Sequence, residues 1–258
     1  MRKTYRNKNN FKYWTDRWSS IDVDQPMQNN TSYPLKYSNL IVNDKDHIIL
    51  EAGCGVGRIL RYYHNKQYKI IGIDFIKEAV EKLKKIDPSL NVNIGNILNL
   101  EFDNNYFDTV LAFGLYHNFH SENLEKALIE TSRVLKKGGR ICASFRADNI
   151  QELIIDWMNK EKINDNKEFH KLNLTRKEFI HLFKRHGFEV KDVYNVQNMP
   201  FIYKFKFFRS SHHKEFNENK ARTEGYELSF FGKTIQNFLI KFFPGNFCNI
   251  YLLIAVKK

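Results

Sequence analysis

Residues 48–57 read Ile48-Ile49-Leu50-Glu51-Ala52-Gly53-Cys54-Gly55-Val56-Gly57, and a second apolar run, Ile70-Ile71-Gly72-Ile73-Asp74, ends in a carboxylate seventeen positions past the last glycine. An apolar strand, a glycine-rich turn, a helix and a second strand ending in an acid form a βαβ unit that binds nucleosides. Glycines let the backbone approach the ligand, and the acid can hold two ribose hydroxyls. The two runs therefore predict an α/β fold with a nucleoside site.

The spacing of the glycines separates two kinds of ligand. A dinucleotide site uses Gly-x-Gly-x-x-Gly, so that the helix packs closely and points its N-terminus at a pyrophosphate. Counted from Gly53, the third glycine position is Arg58. Glu51 would repel a pyrophosphate but could hold a ligand that bears an ammonium and a sulfonium group. The spacing favours a cationic ligand, although glycine-rich turns also occur for steric reasons alone.

The following residues continue the alternation of helices and strands. Residues 76–86 have apolar side chains at helical spacing and end at Asp87-Pro88. The later strands are short, apolar and flanked by helices, which is typical of a parallel sheet covered on both faces. The predicted strands are residues 91–94, 106–113, 140–145, 188–196 and 247–257, and the predicted helices are residues 121–136 and 177–186.

These residues resemble a known family, the class I S-adenosylmethionine-dependent methyltransferases, and within it the small-molecule branch similar to methyltransferase type 11. The resemblance implies a Rossmann-like, mostly parallel sheet of seven strands with an antiparallel last strand, helices on both faces, and S-adenosyl-L-methionine as the cofactor. It covers roughly residues 47–146. The matching motifs are Leu50-Glu51-Ala52-Gly53-Cys54-Gly55-Val56-Gly57, Gly72-Ile73-Asp74, Gly95-Asn96-Ile97, Phe107-Asp108-Thr109-Val110 and Leu135-Lys136-Lys137-Gly138-Gly139-Arg140.

The resemblance also implies a cofactor site. The glycine loop would face the methionine moiety, Asp74 would bind the ribose hydroxyls, and Asn96 with Ile97 would contact the adenine. The family often carries Asp at the position of Asn96, but an amide can still accept from the adenine amino group and donate to a ring nitrogen. The predicted cofactor contacts are Trp14, Glu51, Gly53, Gly55, Gly57, Asp74, Phe75, Asn96, Ile97 and Phe113.

Length and composition allow one main domain with additions. A chain of 258 residues with 42% hydrophobic residues can bury a full seven-stranded α/β core. We expect an N-terminal lid over residues 1–46 and a methyltransferase domain over residues 47–258, with a substrate-recognition insertion at residues 199–246. Trp14 and Trp18 lie one helical turn apart, so they could stack over the adenine or simply anchor the lid to the core.

Methyl transfer requires little covalent catalysis from the protein. The sulfonium is already a good electrophile, so the rate comes mainly from holding the nucleophile in line, with a base where the nucleophile carries a proton. His117 is the candidate base, because it follows the fourth strand and ligands bind outside the carboxyl ends of such strands. The alternative is a histidine that caps the next helix or only lines the pocket. The predicted acceptor contacts are Tyr33, Tyr37, Tyr116 and His117, and no metal site is expected.

The net charge of +12 lies mainly in the C-terminal part, where residues 151–258 contain 19 Lys and Arg against 12 Asp and Glu. A basic surface attracts nucleic acid, lipid headgroups or phosphorylated metabolites, although codon usage alone also makes chains basic. Residues 201–208 alternate aromatic and charged side chains, as a half-buried strand also would. Residues 238–244 could form an amphipathic helix that rests on a membrane, closes over the substrate or docks on its own core. The clustered cations are Lys204, Lys206, Arg209, Lys214, Lys220 and Arg222.

Several absent motifs narrow the function. No Asn-Pro-Pro-Tyr, Asp-Pro-Pro-Tyr or Pro-Cys sequence is present, so a small acceptor is preferred to a nucleobase. Three cysteines, at positions 54, 142 and 248, give neither a disulfide framework nor a metal spacing and are expected to be small buried residues. The N-terminus lacks the apolar core of a signal peptide and no run of eighteen apolar residues occurs, so we expect a soluble, cytoplasmic protein.

The function predicted from the sequence is methyl transfer to a small or medium metabolite, with oxygen as the expected acceptor atom and nitrogen or sulfur as alternatives. Two other hypotheses remain open. One is a tRNA or rRNA methyltransferase that uses the basic insertion as a clamp, and the other is a non-catalytic cofactor-binding subunit that activates a partner. Peripheral membrane contact and the oligomeric state also remain open.

Overall fold

The computed structural model describes residues 1–21, 23, 26–159, 167–215 and 225–258. Its centre is a seven-stranded sheet, and a two-stranded sheet lies beside it. The strands are β1 (Arg2–Arg6), β2 (Ile48–Ala52), β3 (Lys69–Asp74), β4 (Val92–Ile94), β5 (Phe107–Ala112), β6 (Leu135–Arg146), β7 (Glu168–Asn173), β8 (Phe188–Val196) and β9 (Ile250–Lys257). The helices are α1 (Asn10–Ser20), α2 (Leu35–Ser38), α3 (Arg58–Asn65), α4 (Lys77–Ile86), α5 (Ser121–Val134), α6 (Ile150–Asn159), α7 (Arg176–Arg185), α8 (Phe230–Phe242) and α9 (Pro244–Phe247).

The strand order of the central sheet is β4-β3-β2-β5-β6-β9-β8. The pairs among β2 to β6 are parallel, whereas β9 runs antiparallel to both β6 and β8. This confirms the predicted mostly parallel sheet with an antiparallel last strand. The order reverses between β2 and β5, which is where ligands of such sheets bind, outside the carboxyl ends of the strands.

Apolar layers cover both faces of the sheet. Leu50 of β2 belongs to the layer that contains Leu128 of α5 and Phe183 of α7, whereas its neighbour Ile49 belongs to the layer that contains Leu60 of α3. All five side chains are fully buried. Because successive residues of a strand point to opposite faces, a strand covered on both sides must be apolar throughout.

The N-terminal segment contains a strand that the sequence analysis did not predict. β1 pairs antiparallel with β7, which also was not predicted, and Arg2 lies opposite Asn173. The Arg2 Nε also donates to Asp148 Oδ1 at 2.7 Å. The segment is therefore joined to the rest of the chain by a backbone ladder and an ion pair. The domain boundary at residue 46 stays a prediction.

The interpretation of residues 201–208 as a half-buried strand was wrong. These residues form two 3₁₀ turns, Phe201–Lys204 and Lys206–Phe208. The side chains of residues 201, 202 and 203 are buried in succession, and a strand that alternates between two faces cannot bury three successive side chains on one face. Of the clustered cations predicted from the sequence, Lys220 and Arg222 lie outside the described residues.

The predicted helix over residues 121–136 ends at Val134, and Gly138-Gly139 lie inside β6 rather than after the helix. The backbone N–H groups of Asn105 and Tyr106 donate to the carbonyls of Arg133 and Val134 at 2.9 and 2.8 Å. A helix end needs such partners for its last carbonyls, and a neighbouring loop supplies them here instead of a glycine cap.

The predicted amphipathic stretch at residues 238–244 forms the end of α8 and the start of α9. All three cysteines are buried and free, as predicted. Among the described residues, the structure contains no helix with the length and apolarity required to cross a bilayer.

Candidate cofactor and active site

A cavity of about 470 Å³ lies at the carboxyl ends of β2, β3 and β5. Its wall includes α1, the glycine loop of residues 53–57, the end of β3 and the segments 95–98, 113–115 and 118–119. Cavities of this size hold cofactor-sized ligands. The cavity therefore occupies the place that the strand order predicts for a ligand.

The glycine loop presents bare backbone to the cavity. The N–H groups of Gly53 and Cys54 both donate to the carbonyl of Ile73 at 2.9 Å, which ties the loop to β3. Gly55 has a φ of +53°, and a Cβ atom there would lie 2.8 Å from the ring of Trp18. Glycine is required at this position both by the backbone conformation and by the close contact with α1.

Asp74 ends β3 and is held by the same loop. Its Oδ2 accepts the N–H of Gly55 at 2.8 Å, and its Oδ1 accepts the N–H of Ile76 at 2.9 Å. Burial raises the pKa of this carboxyl, and the backbone N–H donors oppose that effect. The carboxylate is thus fixed in orientation at the cavity wall, as a group that binds two hydroxyls must be.

Glu51 is the most unusual polar group of the cavity. It is only 5% exposed, and its Oε2 has no hydrogen-bond partner among the described residues. Burial raises the pKa of its carboxyl to about 8, and the nearby Asp74 acts in the same direction. A buried acceptor without a donor is costly unless a ligand supplies one. The residues present therefore fit a ligand that carries an ammonium group.

The opposite end of the cavity contains the residues predicted to meet an adenine. Phe75, Asn96 and Ile97 line the wall, together with Leu98. Asn96 Oδ1 accepts the N–H of Leu98 at 3.0 Å, which fixes the orientation of its amide. Phe75 is 55% exposed and contacts Phe11 of α1 edge to face, with ring centroids 5.7 Å apart.

Helix α1 covers the cavity through an aromatic face. The rings of Trp14 and Trp18 stack with centroids 5.6 Å apart, and both line the cavity. Lys82 of α4 donates to the carbonyls of Trp18, Ser19 and Ile21 at 2.7, 2.9 and 2.7 Å, so it caps the end of this helix. Lys82 therefore adds a further contact between the lid and the core.

None of the predicted acceptor residues lines the cavity. Tyr33 packs edge to face on Phe113 of the cavity wall with centroids 5.8 Å apart, and its hydroxyl donates to Ser144 Oγ at 3.0 Å. Tyr37 packs on Tyr194, away from the wall. Tyr116 is fully buried, with its hydroxyl 2.7 Å from Thr131 Oγ1, and it does not line the cavity either.

His117, the candidate base, also lies behind the wall. Its ring packs on Phe145 at 6.2 Å, and it is 7% exposed. Burial lowers its pKa well below the usual range, and Arg146 and Lys171 lower it further. The structure brings Gly114 and Leu115 to the cavity rather than His117. Both its position and its weak basicity count against a base role.

Sequence reasoning missed several residues of the wall. Arg17 and Phe11 line the cavity from α1. Arg17 follows Trp14 by three positions, so the helical spacing that placed Trp14 and Trp18 on one face would also have placed Arg17 there. Asn118 and Phe119 line the wall just after the candidate base, and Asn10 Nδ2 donates to the carbonyl of Asn118 at 2.8 Å.

Residues 50–143 match the model of the methyltransferase domain family. Together with the seven-stranded fold, this match shows that the chain carries a class I S-adenosylmethionine-dependent methyltransferase domain. S-adenosyl-L-methionine is its cofactor. The buried Glu51 carboxyl group, whose Oε2 has no partner among the described residues, and the fixed Asp74 fit that ligand.

Two curated relatives and one solved structure are similar to the chain. An uncharacterised protein of Methanocaldococcus jannaschii is 31% identical over 163 residues, which cover 63% of this chain and 64% of that protein. The 24-methylenesterol C-methyltransferase 3 of Arabidopsis thaliana is 33% identical over 131 residues, 48% of this chain and 33% of that enzyme. The chain thus spans less than two thirds of the length of these relatives.

One structural neighbour is a chain of a Haloferax volcanii complex between the Trm112 methyltransferase activator and a methyltransferase. It superposes with a TM-score of 0.62 at 15% identity, over 96% of this chain and 95% of the other. This likeness shows a shared fold.

Proposed function

We propose that this chain transfers the methyl group of S-adenosylmethionine to a small or medium metabolite, with oxygen as the acceptor atom. The observation that carries the proposal is the buried Glu51 carboxyl group, whose Oε2 has no partner among the described residues, beside the glycine loop and Asp74. A site with these groups suits a cationic nucleoside, and the bound sulfonium supplies an electrophilic methyl group.

In this proposal the residues of the cavity wall bind different parts of the cofactor. Glu51 and the glycine loop hold the methionine moiety, Asp74 holds the ribose hydroxyls, and Asn96 with Phe75 flanks the adenine. Trp14, with its neighbours on α1, excludes water from the reacting atoms. Since transfer depends mainly on alignment, these contacts supply most of the rate enhancement.

No base is assigned in this proposal. A nucleophile that carries a proton needs an acceptor within hydrogen-bond reach, and His117 is not at the wall. An acceptor that is already ionised, or that loses its proton to solvent, needs none. The absence of the two Pro-containing motifs for extruded bases supports a small acceptor rather than a nucleobase.

The proposal is tested by incubating the purified full chain with methyl-labelled S-adenosylmethionine and fractionated small-molecule and RNA extracts. We expect label in the small-molecule fraction and none with Asp74→Ala. Label in RNA alone would replace this proposal by the RNA hypothesis, in which retention falls steeply with salt. Cofactor binding without any transfer, followed by transfer once a partner protein is added, would favour the hypothesis of an activator-type subunit.

A further inference from the structure

A cluster of cations lies next to the cofactor cavity, at the carboxyl end of β6. It consists of Arg146 on β6, Lys171 on β7 and Lys204 in the 3₁₀ turn after residue 200, and we call it the cationic cluster. The backbone joins the end of β6 to the residue after β7, because the N–H of Leu174 donates to the carbonyl of Arg146 at 3.0 Å. Three segments that are distant in sequence thus bring positive charge to one place.

The cationic cluster lies near Tyr33 and His117, two of the residues predicted to contact the methyl acceptor. The charge of Arg146 acts on Tyr33, which packs on Phe113 of the wall, and on His117, whose Cε1 lies 3.8 Å from the Cβ position of Gly114 in the wall. On the other side, Lys171 acts on His170, whose ring lies 6.4 Å from Tyr13 of α1. The residues on which Arg146 and Lys171 act therefore contact the cavity wall and α1.

These cations are not neutralised locally. Among the described residues, no carboxylate oxygen lies within 4.0 Å of Arg146, Lys171 or Lys204, and none of the three side chains donates a hydrogen bond. Glu152 is buried nearby and acts on both lysines, but only at longer range. Asp156 is the second nearby carboxylate, and it already forms an ion pair with Arg2.

Burial and repulsion shift the pKa values of the cluster. Burial, together with Arg146 and Lys204, lowers the pKa of Lys171 to about 8, although Glu152 opposes the shift. Burial together with Lys171 lowers the pKa of His170 to about 3. The Nδ1 of His117 is buried and has no partner among the described residues. Such uncompensated, half-buried cations are unfavourable in the empty protein and favourable once an anion is bound.

We infer that the cationic cluster binds a carboxylate or phosphate group of the methyl acceptor and so orients the acceptor atom toward the cofactor. The inference rests on the proposed function and adds to it the substrate class, an anionic metabolite. Arg146 offers the planar donor fork that matches carboxylate and phosphate oxygens, and the two lysines add charge from neighbouring segments.

The test titrates inorganic phosphate, and separately acetate, into the full chain at constant ionic strength, once with S-adenosylhomocysteine bound and once without it. Heat of binding is the readout. We expect one of the two anions to bind, with affinity reduced at least about tenfold in Arg146→Gln and in Lys171→Gln, because each removes a charge-assisted hydrogen bond. The anion that binds with the higher affinity shows whether the acceptor group is a phosphate or a carboxylate.

Matched variants exclude a general loss of charge or of fold. Arg140 lies on the same strand at its other end and is exposed, so Arg140→Gln should leave anion affinity within twofold of the parent. Lys171→Arg, which keeps the charge, should retain more affinity than Lys171→Gln. Equal anion affinity in Arg146→Gln and Arg140→Gln, or no anion binding to the parent protein, would overturn the inference.

Failure of this inference can be distinguished from failure of the proposed function. If S-adenosylhomocysteine does not bind, or no methyl is transferred, the proposed function fails, while the phosphate and acetate titrations still decide the cationic cluster. Conversely, a labelled product that is retained on an anion exchanger supports the inference, and a neutral or cationic product overturns it even when transfer is fast.

Discussion

The cofactor side of the molecule and its acceptor side are built in different ways. On the cofactor side, residues 47–145, the binding groups come from one short stretch of chain and the strand next to it, so Glu51 and Asp74 lie close together as a direct result of the βαβ connection. On the acceptor side, the remaining residues, the charged groups come from segments far apart in sequence. Arg2 reaches Asp148, and Arg146 lies near Lys171 and Lys204.

This difference determines how much of each side can be predicted from the sequence. A loop whose conformation needs glycines has a local signature, whereas a pocket assembled by long-range packing has none. Substrate specificity therefore depends on contacts that no short motif encodes. The predictions below perturb first the cofactor side and then the contacts that join the two sides.

The largest effect is expected for Gly55→Val. The φ of +53° and the 2.8 Å approach of Trp18 both exclude a β-branched side chain. Strain and overlap together amount to about 2–5 kcal/mol, which corresponds to a loss of S-adenosylhomocysteine affinity on the order of 100-fold. Calorimetric titration measures it.

Gly138→Val is the matched control for this prediction. Gly138 has a φ of +76°, but nothing lies within 4 Å of its Cβ position. The control should lose stability from backbone strain alone and keep its cofactor affinity. If both variants lose affinity equally, the close contact between the glycine loop and α1 is not what matters.

Glu51→Gln should change how binding depends on pH. Below a pKa of about 8, Glu51 is protonated in the ligand-free protein, and a cationic ligand must displace that proton. Affinity for S-adenosylhomocysteine should therefore rise between pH 6 and 7.5, by up to about tenfold per pH unit, while the ligand amine stays charged. The glutamine variant should show a flat profile, and Glu101→Gln, an exposed control, should behave as the parent.

The same carboxyl predicts a pH dependence of stability. Its folded pKa lies above the ordinary value of 4.5, so the folded state binds more protons than the unfolded state between pH 4.5 and about 8. The stability of the parent should fall as the pH rises through this window, whereas Glu51→Gln lacks this part of the decrease. Denaturant titrations of both proteins at pH 5 and pH 8.5 measure the difference. An equal decrease in the two proteins would contradict the raised pKa.

The fold of the cofactor side could be predicted from the sequence because its signals are local. The glycine loop, Asp74 and the apolar strands each depend on neighbours within about one βαβ unit. The pairing of β1 with β7 could not be predicted in this way, because Arg2 and Asn173 meet only after most of the chain has folded. The same reason left the Lys82 cap of α1 unforeseen, since its partners lie more than sixty residues earlier.

Lys82→Met should weaken cofactor binding by a smaller amount. The ammonium donates to three carbonyls at the end of α1, and its removal leaves the lid without that cap. Loss of hydrogen bonds to a charged group predicts about a threefold to tenfold lower affinity and faster amide exchange in α1. Lys85→Met, exposed on the same helix, is the control, and equal exchange rates in the two variants would show that Lys82 does not hold the lid.

The smallest effect on stability and cofactor binding is expected on the outer face of α8. Phe230 is 87% exposed there and Phe207 of the neighbouring turn is 77% exposed, with Lys233 and Lys241 also on the surface of the helix. Replacement of both phenylalanines by serine should change the free energy of unfolding by less than about 0.5 kcal/mol each, since neither is packed in a core. If this face rests on an anionic membrane, as the basic amphipathic pattern predicts, the parent should float with phosphatidylserine vesicles and the double variant should not. A parent that stays in the soluble fraction would instead leave these phenylalanines as ordinary surface residues.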